Sequence, residues 1–426
     1  MQYQEFLDHI YQRYSGNVKL ELNRMSGLLK DMGSPQDSLR GFHIAGTNGK
    51  GSVCATLEAL CLASGWRTGL NTSPHLINYT ERFRVDGKEV SIGDIMAEFH
   101  ATEELFEKWD ASFFEITTAI AFSLFQKAGL DVAVMEVGLG GRLDATNLFT
   151  PDVGVITTIG LDHVKTLGGT VELIAAEKAG IIKDNLPLVV GEIEASPLKV
   201  IMDAAEAKNA PVYLYGRDWK VFLRDDSTAG ICFDYRFGGY YFGSLRANLM
   251  GEHQGHNLGA AITAYILYCQ KHQLPVDEDT IRGGISSINW AGRMQVLSQK
   301  PLIIVDGAHN VHGVTALTKT LNKVFPSKKL IYVLSILADK DYSEMIRLFC
   351  GKAKQIYVAQ NKSDRAASAA AQKEAVARYE VPVCACSSVA EALKTAIENA
   401  GEADVIVAGG SLYTVGEVIS AFRAHA

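Results

Sequence analysis

A chain of 426 residues is long enough for two or three domains with substantial cores. With 47% apolar and 21% charged residues it has the make-up of an ordinary globular protein. Its formal charge of −7 argues against a generic nucleic-acid or anionic-membrane surface. The opening Met-Gln-Tyr-Gln-Glu-Phe shows no basic-then-apolar signal, and no apolar run is long enough to span a bilayer. A cytoplasmic protein with no nucleic-acid or membrane partner is therefore expected. Seven cysteines lack metal-ligand spacing. They are expected to be small buried hydrophobes in a reducing compartment, Cys54 and Cys61 on one helix face and Cys384 and Cys386 in a strand.

The first 40 residues read as helical, with Leu20, Leu22, Met25, Leu28 and Leu29 forming one face of a second helix before the break at Gly33-Ser34-Pro35. Residues 41–52 read Gly-Phe-His-Ile-Ala-Gly-Thr-Asn-Gly-Lys-Gly-Ser. A short apolar run ends at Ala45, a loop with Gly46, Gly49 and Gly51 carries Lys50, and Ser52 opens a helix-like segment through Val53, Leu57, Leu60 and Cys61. Glycines let backbone N–H groups turn toward an anion, a helix N-terminus favours negative charge, and a lysine adds a full positive charge. The stretch is not a strict Walker A motif, because Ile44 stands where the first glycine belongs and Gly51 separates Lys50 from Ser52. Taken alone it argues for a nucleotide but not for a reaction, and a glycine turn with a chance lysine is the plainer alternative.

A short run from Arg67 to Leu70 follows, then a long irregular segment from Asn71 to Gly87 with enough Pro, Tyr, Phe and Arg to be ordered. Helices are expected near 92–109 and 115–128. The apolar run beginning at Asp131 suits a buried parallel strand and ends in Glu136, and Pro151 to Ile159 repeats the pattern before Gly160-Leu-Asp-His163. Strands alternating with helices indicate an α/β fold with a doubly wound, mostly parallel sheet, whose ligands sit beyond the carboxyl ends of the strands. The glycine loop, Glu136 and His163 all fall at such ends and are expected to converge. Residues 218–247 read as a small antiparallel sheet, followed by helices near 253–272 and 277–287. After Ser298-Gln-Lys-Pro301 the chain starts again, with Leu302–Asp306 a strand ending in an acid and further strands near 329–334, 354–359, 381–386 and 404–408. The Ala-rich run at 366–377 reads as a helix. The expectation is a P-loop domain over 1–296 and a smaller, Rossmann-like C-terminal α/β domain over 297–426.

With these residues in place, the chain resembles the folylpolyglutamate synthase and dihydrofolate synthase family of the Mur-ligase superfamily. The resemblance runs along nearly the whole length. It is carried by Gly46–Ser52, Thr72-Ser-Pro-His75, Glu81-Arg-Phe-Arg84, Phe113-Phe-Glu115, Met135–Asn147, Gly160–His163, Glu177–Lys183, Gly292-Arg293, Asp306–Asn310 and Asp339-Lys-Asp341. It implies an ATP-dependent amide ligase that joins L-glutamate to a reduced folate through an acyl phosphate, releasing ADP and phosphate, and that also accepts dihydropteroate. ATP is the co-substrate and two Mg²⁺ ions are the expected cofactors. Members are commonly monomers.

The resemblance also assigns roles. Thr47, Asn48, Gly49, Lys50, Gly51 and Ser52 would hold the phosphates, with Asn257 in His253-Gln-Gly-His-Asn257 at the adenine end, and Arg293, Asp306 and His309 completing the ATP site. Asn310 stands beside them, and Val311 takes the place of the family's usual proline. Ser73, Glu136 and His163 would bind metal. Lys50, Lys178 and His163 would act in catalysis, Lys178 carrying a carbamate as in family members. Phe113, Phe114, Glu115, Leu143, Asp144 and Ala145 would bind the pteridine substrate, with the region of Arg24 and Met25 completing the pocket. Asp144 resembles the residue of members that accept dihydropteroate. From residue type alone, Ser73 could instead cap a turn, Glu136 be a paired strand-end acid, His163 a satisfied core histidine, Lys178 a solvated helix lysine, and Phe113 and Phe114 core.

Two other readings compete. A Mur-type ligase acting on a cell-wall nucleotide would need a nucleotide-sugar domain of about a hundred residues before its phosphate loop, and only 45 residues precede Gly46. A non-catalytic nucleotide-binding module would leave Ser73, Glu136, His163 and Lys178 without a shared purpose.

Overall fold

Two helices, α1 (Tyr3–Gln12) and α2 (Asn23–Asp31), open the computed structural model, which describes residues 3–13 and 21–425. The apolar spacing in α2 buries Met25, Leu28 and Leu29. Leu22 is the residue before that helix, and Leu20 lies outside the described residues. Next, β1 (Gly41–Ala45) is buried at every position, and α3 (Lys50–Ala63) starts two residues earlier than Ser52. The cause is Gly49, whose left-handed φ of 88° turns the chain directly into the helix.

After β2 (Thr68–Asn71), the stretch expected to be irregular is largely built. A 3₁₀ turn at Tyr79–Arg82 leads into β3 (Phe83–Val85), which pairs antiparallel with β2, and then into β4 (Lys88–Glu89). Glu81 supplies the order that composition hides. Its carboxylate accepts from the backbone amides of Leu76 at 2.7 Å, Ile77 at 2.9 Å and Asn78 at 2.8 Å, holding the whole bend on one side chain. Helices α4 (Ile92–Lys108) and α5 (Phe113–Ala128) follow, each opened by a serine cap, Ser91 and Ser112.

The sheet continues with β5 (Val132–Glu136) and β6 (Val153–Ile156), then α6 (Val164–Leu167), α7 (Val171–Ala179), β7 (Leu188–Val190), α8 (Ala195–Ala207) and β8 (Val212–Leu214). Strand order is β4-β3-β2-β5-β1-β6-β7-β8, parallel from β2 through β8. Strand β1 thus lies between β5 and β6, with Ile44 beside Glu136 and Ala45 beside Ile156. That register sets Glu136 next to the strand that enters the glycine loop. A three-stranded antiparallel sheet of β9 (Trp219–Ser227), β10 (Gly230–Phe237) and β11 (Tyr240–Ala247) comes next, then α9 (Glu252–Lys271) and α10 (Glu278–Ser286).

The second sheet is built from β12 (Gln295–Gln299), β13 (Leu302–Asp306), α11 (Val311–Val324), β14 (Leu330–Leu334), α12 (Tyr342–Cys350), β15 (Ala353–Val358), α13 (Ala369–Ala377), β16 (Val383–Ala385), α14 (Val389–Glu398), β17 (Val405–Gly409) and α15 (Leu412–His425). Its order is β12-β13-β17-β14-β15-β16, with only β12 antiparallel. Because β16 is an edge strand, Cys384 is exposed and Cys386 half-buried, contrary to the expectation that all seven cysteines are buried. The other five are.

The chain divides into two compact units, one of residues 1–222, 234–245 and 255–288, the other of 223–233, 246–254 and 289–426. Residues 289–296, read from sequence with the first domain, belong to the second unit. Among the described residues no helix is long and apolar enough to cross a membrane.

Replacing Glu81 by Ala leaves three backbone amides to find new partners. Glu81→Ala should lower the unfolding free energy by about 1–3 kcal/mol and speed amide exchange at 76–78. Denaturant melts and hydrogen exchange check both.

Candidate active site

The glycine loop is strapped to the carboxyl end of β6. Thr47 donates its amide to the Thr158 carbonyl at 2.8 Å, and its hydroxyl bonds to Gly160 from both sides, to the carbonyl at 3.1 Å and from the amide at 3.0 Å. The Asn48 amide donates to Thr158 Oγ1, and the Thr157 hydroxyl donates to the Asn48 carbonyl at 2.6 Å. Two glycines are sterically required. A Cβ on Gly46 would stand 1.8 Å from Thr157 Oγ1, and one on Gly49 would stand 2.3 Å from Asn257 Oδ1. Asn257, near the start of α9, therefore lies directly against the turn that opens α3.

Two lysines meet inside this loop. Lys50 Nζ donates to the Gly46 carbonyl at 3.2 Å, and Lys178 Nζ, carried by the last turn of α7, donates to the same carbonyl at 2.8 Å. Lys178 is buried, so it is not a solvated helix lysine. Burial, together with the Lys50 charge, brings its pKa down to about 7, while the carboxylates of Asp162 and Asp144 pull the other way. The Gly140-Gly141 turn allows the approach of this helix, since a Cβ on Gly141 would stand 2.8 Å from the Glu177 carbonyl and 3.1 Å from Lys178 Cα.

At the end of β5, Glu136 Oε2 accepts from the Ser73 amide at 3.0 Å, so the structure brings these two expected metal ligands together. His163 caps α6 in the left-handed region at φ 51°, its ring partly exposed and its Nε2 3.9 Å from Asp162 Oδ1. It is not a buried core histidine. Among the described residues no group of three or more histidine, cysteine, aspartate or glutamate side chains forms a metal-holding cluster. One carboxylate and one hydroxyl beside a phosphate cradle fit Mg²⁺, which keeps waters and takes phosphate oxygens as ligands.

The residues expected to face a pteridine divide in role. Phe113 is buried in the core beside Tyr79, with the Arg82 guanidinium 5.2 Å from its ring centre. Phe114 is half-buried and lies on the backbone of Gly138, where a Cβ would stand 2.4 Å from its ring. Glu115 closes a capping box with Ser112 and pairs with Arg24 at 3.2 Å. Ala145 is core and Leu143 is half-buried. Asp144 is buried and accepts from four donors, the Gly138, Leu139 and Thr146 amides and the Thr146 hydroxyl.

In the second unit, Asp306 ends β13 and accepts from the Met294 amide at 2.9 Å and the Ala308 amide at 2.8 Å. Burial pushes its pKa up, against the pull of Arg293. The Arg293 guanidinium packs on Gly307, and His309 Nδ1 bonds to the Gly307 carbonyl at 3.0 Å. Asn310 caps α11, accepting from the Gly313 amide. Val311 is the first residue of that helix, a position that proline also suits, so its replacement leaves the turn intact.

Sequence reasoning missed Thr157 and Thr158, which strap the loop, and Asp162, which acts on Lys178. A pair of threonines directly after a strand that borders the loop was the available signal.

Two family profiles match the chain, the Mur ligase middle domain over residues 44–265 and the Mur ligase glutamate ligase domain over 292–412. The dihydrofolate synthase/folylpolyglutamate synthase of Bacillus subtilis is 32% identical over 424 residues, covering 98% of each chain. The folylpolyglutamate synthase of Mycobacterium tuberculosis complexed with ADP superposes with a TM-score of 0.93 at 32% identity, over 98% of each chain. A bifunctional folylpolyglutamate synthase/dihydrofolate synthase with Mn, AMPPNP and L-glutamate bound superposes at 0.86 and 33% identity, over 99% of this chain and 97% of that one.

A methyl group at position 49 meets both a left-handed backbone and the Asn257 carboxamide. Gly49→Ala should weaken ADP binding by about tenfold or more, whereas Gly283→Ala, with open space around it, should leave it unchanged. Calorimetric titration of ADP separates the two.

Proposed function

The chain belongs to the folylpolyglutamate synthase/dihydrofolate synthase family of Mur ligases, and from that premise we propose how its own residues add L-glutamate to a reduced folate, and to dihydropteroate, using ATP. The observation that carries the reading is the meeting of Lys50 and Lys178 on the Gly46 carbonyl, inside a loop fixed by Thr157 and Thr158. Backbone amides from Gly49 to Ser52 and the Lys50 ammonium receive the phosphates, the Thr47 and Asn48 amides being engaged by Thr158, and Asn257 stands where the nucleoside leaves the loop. Arg293, Asp306 and His309 are proposed nucleotide residues on the strength of the family resemblance alone.

The acceptor's carboxylate oxygen attacks the γ-phosphorus of ATP, forming an acyl phosphate as the bond to ADP breaks. The amine of glutamate then attacks the acyl carbon, phosphate leaves, and the amine gives up a proton. The difficulty is the approach of one anion to another, and positive charge fixed in a poorly solvated site meets it. Two Mg²⁺ ions, held by Ser73 and Glu136 and by His163, would supply further charge neutralisation when bound. Phe114 and Leu143 offer apolar surface to the pteridine ring. Seven free cysteines suit a reducing cytoplasm, and a monomer is the proposed state.

Lys178 completes the reading. A neutral amine adds to CO₂, giving a carbamate and releasing one proton, which replaces a cation by an anion beside the phosphate loop. Its pKa near 7 makes the neutral amine the minor form at pH 6 and the major form at pH 8. Carbon-13 spectra in labelled bicarbonate should therefore show the carbamate rising between pH 6 and pH 8 and absent from Lys178→Arg. A signal flat over that range would contradict the assignment. The sign for stability agrees. A lysine whose folded pKa is depressed costs stability below about pH 7, and that cost fades as pH rises toward its ordinary value.

The overall assignment is tested by ADP release on mixing ATP, L-glutamate and either tetrahydrofolate or dihydropteroate. Release is expected with both acceptors and should require glutamate. Release with neither, but with a muramyl nucleotide, would overturn it.

A further inference from the structure

His43 lies in the middle of β1, three residues before Gly46 of the glycine loop, and is completely buried. Its Nε2 is 2.8 Å from Thr146 Oγ1, and Thr146 Oγ1 is 2.5 Å from Asp144 Oδ1. Burial pushes the Asp144 pKa up, and the Thr146 hydroxyl with three backbone amides holds it down; the ionised carboxylate only accepts, so the single Thr146 hydroxyl proton goes to Asp144, and Oγ1 accepts from His43 Nε2–H. The tautomer is thereby fixed, with Nδ1 unprotonated and without a partner. Burial brings the imidazole pKa down to about 3, so His43 stays neutral and serves as a fixed donor.

Asp144 passes this orientation on. Oδ1 accepts from the Thr146 amide and hydroxyl, and Oδ2 accepts from the amides of Gly138 at 3.0 Å and Leu139 at 2.8 Å. Four donors use the four lone pairs of the carboxylate. A substrate ligand at Asp144 would have to displace one of them. Gly138 in turn carries the Phe114 ring on its backbone and stands two residues after Glu136.

We propose that His43 and Thr146 are positioning residues that act through Asp144 to fix the Gly138–Leu139 backbone, and with it the pteridine side of the site. The proposal rests on the ligase reading for its kinetic consequence but not for its structural one.

Thr146→Val keeps the shape and removes the hydroxyl, and Thr146→Ser restores it. His43→Leu removes the donor, and His43→Gln places an amide N–H near the same point. Thr146→Val and His43→Leu should raise KM for tetrahydrofolate about tenfold, with KM for ATP within about twofold. They should also speed hydrogen exchange in fragments covering 137–141 by about tenfold. Thr146→Ser and His43→Gln should return both readings toward the parent protein. Unchanged exchange at 137–141 in Thr146→Val, or a serine variant no better than valine, would overturn the relay. If the parent protein releases no ADP with folate and glutamate, the ligase reading falls, while exchange still decides the relay.

Discussion

Two lysine side chains donate to one backbone carbonyl, that of Gly46, and the rest of the site is arranged around this crowding. Like charges that close repel, more so where water is excluded. The repulsion is eased in two ways within the protein. Lys178 gives up its proton near neutrality, and the Asp162 and Asp144 carboxylates act on it from the side. A triphosphate would ease it in a third way, by placing negative charge where the loop amides and Lys50 already point. The loop therefore has to be rigid, because a loop free to relax would separate the lysines instead of presenting them. The Thr157 and Thr158 hydroxyls, both on the Asn48 carbonyl, supply that rigidity.

The sheet makes this possible. With β1 between β5 and β6, a loop leaving β1 has the end of β5 on one side and the end of β6 on the other. The first contributes Glu136 and, through it, the Ser73 backbone. The second contributes the threonine straps and then Asp162 and His163. Lys178 reaches the same place from α7, because the glycine at 141 lets that helix come to within backbone contact of the intervening turn. A side chain at Gly141 would move the helix, and the amine with it.

This much was legible in the sequence, since an apolar run followed by glycines and a lysine, and two further runs ending in an acid and a histidine, place their chemistry at adjoining strand ends in any parallel sheet. What was not legible follows from what residue types leave out. The Asn71–Gly87 segment looked irregular because much of its order comes from single side chains, above all the Glu81 carboxylate taking three amides, which leaves no periodic trace. Strands β7 and β8 have three residues each, too few for alternation to register. Cys384 and Cys386 looked like buried hydrophobes because strand composition does not reveal whether the strand lies at a sheet edge. The two phenylalanines at 113 and 114 are equivalent in sequence, yet helix geometry turns one into the core and the other onto Gly138.

The acidic residues sharpen the last point, because their type says nothing of which lone pairs are already engaged. Asp144 accepts from four donors, Glu81 from three amides, and Asp152 takes the Gly41 amide together with the Lys271 ammonium. Each is a buried or half-buried carboxylate whose charge is spent on holding backbone or closing a helix end. In a cleft read by composition alone, any of them would pass for a ligand. Counting donors separates the acids that shape the site from those with capacity for an ion. A carboxylate held by four donors is costly to disturb, so a substitution at Asp144 would act on the loop it holds as well as on what the site accepts.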